Sequence, residues 1–193
     1  MRGNECRILE TSWLGDGMPY SGSELRSHFV REAAGIRCDG VVAFTGPCGV
    51  EGARLVDLED AESGSIIRAE RMLHFIGEHF QVPLREANYR LRLFAAIAGE
   101  TACGMGRGAT IRRDGDDLFV GERKLSVAIA TVSPTSALFH FGVNLDPSGA
   151  PVPAVGLDEL GLEAEVYARA VMERYRDEIE SVEVALRKVR GVP

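Results

Sequence analysis

The segment from residue 109 to 145, ATIRRDGDDLFVGERKLSVAIATVSPTSALFHFGVNL, constrains the fold more than any other part of the chain. Apolar and polar residues alternate along it, and turn signals fall at Asp114-Gly115, Gly121-Glu122 and Ser133-Pro134. Successive side chains of a strand point to opposite faces, so the pattern suits half-buried strands joined by tight turns. It predicts an antiparallel meander of four strands.

The rest of the chain must cover that sheet. The opening reads as a strand followed by a polar, Gly-rich loop through about residue 22. Ser23 is placed to cap a helix from Glu24, with Leu25, Phe29 and Val30 on its apolar side. Strands are expected at 41–45 and about 53–58. Ile66, Leu73, Ile76 and Phe80 sit at near-helical spacing, predicting a helix over about 64–80, and a second follows at 86–103. Gly104, Gly106 and Gly108 end it. A Pro- and Gly-rich loop precedes a C-terminal helix over about 158–189, whose Tyr175, Ile179, Val182, Leu186 and Val189 form one stripe. Helices mixed without strict alternation with a mostly antiparallel sheet make an α+β fold. The length of 193 residues suits a single domain over 1–193.

A net charge of −7 argues against nucleic acid as a partner, because phosphate binding needs a basic face. No stretch is long and apolar enough to span a membrane, and the start lacks an apolar run of signal-peptide length, so the expected location is the cytoplasm. Cys6, Cys38, Cys48 and Cys103 are scattered, and reduced thiols are expected. His28, His74, His79 and His140 form no ligand-spaced pair, so no metal site is expected. His74 and Glu78 are four apart, on one face of the expected helix.

Lys124 is one of two lysines in a chain whose other basic positions are all arginine. On a strand it shares a face with Ser126, Ala128 and Ala130, opposite Leu125, Val127 and Ile129. A lysine among small neighbours offers a compact ammonium that can approach one oxygen closely, which suits a carboxylate, an acyl phosphate or a thioester carbonyl.

The run DDLFVGERKLSVAIA followed by HFGVNL resembles the core of biotin protein ligases and their lipoate ligase and octanoyltransferase relatives. Asp116-Asp117 holds the place of that family's Asn-Asp pair, and the seven-residue step from Asp117 to Lys124 is kept. Arg123-Lys124-Leu125 and Gly142-Val143-Asn144 match outright, and Arg113 replaces a lysine that starts the motif. Upstream, GPCGVEGARLVDL is similar to an octanoyltransferase segment at Gly46, Pro47, Gly52, Asp57 and Leu58, where a Gly-Pro turn leads into a strand. The whole chain looks most like a small archaeal and bacterial family of unknown function grouped with this fold. The Trp-Pro of the biotin ligases is Asp114-Gly115 here, a family glycine is Val127, and the ligases' adenylate loop has no counterpart.

The resemblance implies a biotin/lipoate ligase-like fold and a small-molecule carboxylate or acyl ligand, with a homodimer left open. Lys124 would be the electrostatic catalyst or carboxylate anchor, and Asp117 would order the loop or bind an acceptor amine. Gly46, Pro47, Arg107, Arg113, Ser126 and Asn144 are the candidate substrate-binding residues. A ligase would also need ATP and Mg²⁺. Cys48 and Cys103 are the candidate nucleophiles for acyl transfer. Arg107 lies in GMGRGATIRR, a candidate phosphate loop, and Asp57, Glu59, Asp60 and Glu62 form an acidic cluster. A non-catalytic binding protein on the same scaffold is the alternative.

Overall fold

A computed structural model describes residues 8–106 and 108–192. Its centre is a five-stranded mixed sheet in the order β1-β2-β3-β8-β7. These strands are β1 (Leu9–Trp13), β2 (Asp39–Glu51), β3 (Ile66–Phe80), β7 (Ser126–Val132) and β8 (Ser136–Asp146). β1 runs parallel to β2, and every other pairing is antiparallel. A second sheet of three strands holds β4 (Ile111–Asp114), β5 (Asp117–Val120) and β6 (Arg123–Lys124). The helices are α1 (Phe29–Ala34), α2 (Leu58–Ser63), α3 (Leu84–Met105), α4 (Leu157–Leu160) and α5 (Ala164–Arg187).

The long helices α3 and α5 cover one face of the large sheet. Leu91, Phe94, Ala95 and Ala98 of α3 and Tyr167, Val171 and Tyr175 of α5 pack there with Leu73, Phe75, Phe139 and Phe141 of the sheet. Each large side chain fully buried here contributes about 1.5–3 kcal/mol. The other face carries a smaller core of Val42, Phe44, Met72 and Ile76 under Tyr20, Phe29, Val30 and Ile36.

Several expectations are corrected. Residues 64–80 form β3, not a helix. Leu73 and Phe75 face one core and Met72 and Ile76 the other, so both faces of this central strand are buried and the period-two signal is lost. Residues 53–58 are not a strand. They form a 3-10 turn, Gly52–Arg54, and the start of α2, where Asp57 accepts from the amides of Glu59 and Asp60. Gly46-Pro47 is no turn but part of β2, which continues to Glu51 through a bulge between Gly46 and Cys48. The first helix begins at Phe29 rather than Glu24, after His28 in the left-handed region at φ 62°.

The meander has five strands, divided between the two sheets at Leu125. The C-terminal helix is interrupted at Gly161, whose φ of 70° ends α4. Among the described residues no helix is long and apolar enough to cross a membrane.

Candidate functional site

Lys124 ends β6 at the junction of the two sheets. Its amide donates to the Pro153 carbonyl, and its own carbonyl accepts from Val155 N and Asn144 Nδ2. Leu125, the next residue, is fully buried in the helix-side core. Its Nζ lies 2.8 Å from Asp117 Oδ2, and both side chains are about one-third exposed. Lys124 pairs with Phe119, and Asp117 is two residues along the same face, a diagonal neighbour that a long side chain can reach. Burial raises the Asp117 carboxyl above its ordinary range. The ammonium pulls it back, and Asp116 and Asp114 add to the rise.

Asn144 thus holds the Lys124 strand from β8, and it shares a cross-strand row with Met72 and Gly46. Gly46 is packed under the neighbouring chain: a Cβ there would lie 1.9 Å from the Met18 carbonyl oxygen. Gly46 and Pro47 border an open groove that also includes Asp16, Thr45 and Arg71. Ser126 is fully buried, and its Oγ accepts from Leu118 N. Arg113 is exposed and donates to the Gly115 carbonyl. The arginine aligned across the small sheet with Lys124 is instead Arg112, whose guanidinium lies over the Phe119 ring, 4.5 Å from its centroid. Arg107 lies outside the described residues.

The expected shared face of Leu125, Val127 and Ile129 is broken. Leu125 enters the helix-side core with Ala128 and Ala130, while Val127 packs on the opposite core. The chain turns from one sheet to the other at Leu125, and the alternation restarts there.

The two candidate cysteines are separated. Cys48 is buried against Tyr20 on β2, with β3 and β8 between it and β7 in the sheet order, and burial, with Glu24 adding, pushes its thiol up to about 12. It is therefore protonated at neutral pH. Cys103 is exposed in the last turn of α3, within the helical layer.

The sequence pattern missed a buried polar cluster on the face opposite α3 and α5. His74 Nδ1 and His140 Nε2 are 3.1 Å apart, and His74 Nε2 is 3.4 Å from the Gly46 carbonyl. The Tyr20 ring stacks on His140 with centroids 3.8 Å apart and planes 9° from parallel. Burial lowers the His74 pKa to about 3 and places that of His140 well below its ordinary value, so both imidazoles are neutral. Gly142 leaves room for them, because a Cβ there would lie 2.5 Å from Met72 Sδ and 3.1 Å from His140 Cε1. Tyr20 and His140 border a recess of about 50 Å³ with Val127, Ile129, Asp57 and Asp60. Once residues 64–80 are read as helix, nothing in the spacing brings His74 and His140 together.

The architecture matches known structures. A protein of unknown function from Pyrococcus horikoshi superposes with a TM-score of 0.88 at 36% identity, covering 96% of this chain and all of that one. Biotin protein ligase from Aquifex aeolicus, in complex with biotin and ATP, superposes with a TM-score of 0.61 at 12% identity, covering 89% of this chain and 70% of the ligase. The chain therefore has the biotin/lipoate ligase fold. Uncharacterized protein MJ0805 of Methanocaldococcus jannaschii is 33% identical over 191 residues, covering 95% of this chain and 86% of the relative. The model of a domain of unknown function, DUF366, matches residues 9–190, and the chain belongs to that family.

Proposed function

We propose that this chain binds a small carboxylic acid or acyl group on the sheet face opposite α3 and α5 and activates or transfers it. Lys124 contacts the carboxylate or acyl phosphate. The observation that carries this reading is the Lys124–Asp117 pair at 2.8 Å, with the Lys124 strand tied to β8 by Asn144. Three positions matched in sequence thus meet at one place, where a partly desolvated ammonium has only one carboxylate as its ion-pair partner among the described residues. An anionic ligand can share that ammonium, and in a partly dry setting the interaction is stronger than in water. The biotin ligase of the same fold is seen with biotin, a small carboxylic acid, and with ATP. By that likeness an activating version of this protein would take ATP and Mg²⁺.

One observation favours a non-catalytic binding protein instead. Cys48 is buried with its thiol protonated, and Cys103 is exposed at the end of α3, which disfavours Cys48 as an acyl carrier and leaves Cys103 on the helical layer. The test is thermal stabilisation by biotin, lipoate, octanoate and purine-like compounds, with and without ATP and Mg²⁺, repeated on Lys124→Ala. A carboxylate-dependent shift that disappears in the variant is expected, and a shift unchanged in the variant would remove Lys124 from the site. ATP consumption decides for activation over binding alone.

A further inference from the structure

The recess beside His140 presents hydrogen-bond acceptors with few donors to match them. The Gly46 carbonyl can only accept, so His74 Nε2 carries the proton of that contact. His74 Nδ1 is then a lone pair, and the proton in the 3.1 Å bond belongs to His140 Nε2. This leaves His140 Nδ1 as a lone pair with no partner among the described residues.

No side-chain nitrogen or oxygen sealed inside the described protein lacks a partner, so Nδ1 must open on the recess that its ring borders. Tyr20 Oη is in the same position: the residue is 4% exposed, borders the recess and bonds to no described residue. Because His140 is neutral, it accepts without repelling a cation.

The opposite wall comes from α2. Asp57 and Asp60 are three residues apart and share a helix side, and both are half-buried while Leu58 and Glu59 between them are exposed. Asp57 uses Oδ1 to cap the helix, and its Oδ2 bonds to no described residue. The Asp60 carboxylate has no hydrogen bond or ion pair among the described residues. Arg54 stands exposed at the mouth and pairs with neither. Two aspartates against one arginine leave the lining negative.

We propose that this recess takes the cationic, N–H-bearing end of the ligand, which makes the substrate class a carboxylic acid with an amino or guanidino group at its far end. The proposal rests on Lys124 holding the carboxylate. An ammonium has three donors to place, and His140 Nδ1, Asp57 Oδ2 and the Asp60 carboxylate are matching acceptors. Val127 borders the recess three residues beyond Lys124, at most about 10 Å of strand. A straight chain of roughly six carbons spans that gap once the lysine side chain reaches inward.

The test is calorimetric titration of the full chain at neutral pH with caproate, ε-aminocaproate and ε-guanidinocaproate. A cationic analogue is expected to bind about tenfold or more tightly than caproate. In the double variant Asp57→Asn, Asp60→Asn, which keeps an N-cap side chain and is checked for folding by circular dichroism, the affinities should converge to within about threefold while that of caproate is unchanged. Caproate binding as tightly as the cationic compounds would overturn the cationic head group and leave the role of Lys124 standing. A preference that survives in the double variant would overturn the recess as its source. Binding of none of the three would overturn the recess as the seat of a cationic head group, while the role of Lys124 is decided separately by the thermal-shift test with biotin, lipoate and octanoate.

Discussion

Lys124 Nζ faces Asp117 Oδ2 at 2.8 Å across a hairpin whose next residue, Leu125, is fully buried. The pair is thus anchored by packing immediately beside it, and its position depends on the backbone more than on the side chains. An ion pair of this exposure is worth about 1 kcal/mol or less, so its chief effect is orientation.

Lys124→Ala should therefore lower the melting temperature only modestly, by about 2–4 °C for a loss near 1 kcal/mol in a chain of this size. Asp117→Asn should cost no more. Thermal denaturation of both variants checks this, and a collapse of the fold would show that the pair is structural.

A second polar network ties α5 to the sheet. Tyr175 Oη is 3.0 Å from His79 Nε2, and His79 Nδ1 is 2.9 Å from Asp39 Oδ2, which also accepts from Arg90. Tyr175→Phe leaves a buried imidazole nitrogen without its partner and is expected to destabilise by about 1–3 kcal/mol. Urea titration of the variant measures it, and a change below about 0.5 kcal/mol would contradict the network's role.

Acid should destabilise the protein from the upper edge of the histidine range. Burial depresses His74, His79 and His140 in the folded chain, so the unfolded state binds more protons below its own pKa near 6.5. Their contribution is fully present above that value and is lost as the pH falls toward the folded pKa, about 3 for His74. Each imidazole contributes up to about 1.4 kcal/mol per pH unit within that window. Denaturation at several pH values should give a slope that His74→Phe makes shallower, and an unchanged slope would contradict the assignment.

Thiol reactivity should follow burial. Among Cys38, Cys48 and Cys103, mass-spectrometric mapping of alkylation is expected to find Cys103 labelled first and Cys48 last. Gly46→Ala, whose Cβ would displace the Met18 backbone, should loosen the segment carrying Tyr20 and speed labelling of Cys48. Rapid labelling of Cys48 in the unaltered chain would contradict the packing described.

The sequence showed some of this directly. α3 and α5 each present one apolar side, so their period survives, and the Asp117–Lys124 step is legible because a hairpin makes such residues diagonal neighbours. β3 was not legible, because a strand buried on both faces has no alternation to read. The His74–His140 contact depends on the pairing of β3 with β8, which joins residues 66 apart in sequence. Arg113 stood out by alignment, whereas register puts Arg112 in the row with Lys124.

The central claim is that Lys124 meets the carboxylate. With only Lys124 and Lys188 in the chain, isotope-labelled lysine gives two side-chain signals in a magnetic resonance spectrum. On saturation with any carboxylate that calorimetry shows to bind, the Lys124 signal should move and the Lys188 signal should stay. A bound carboxylate that leaves the Lys124 signal in place would contradict the account.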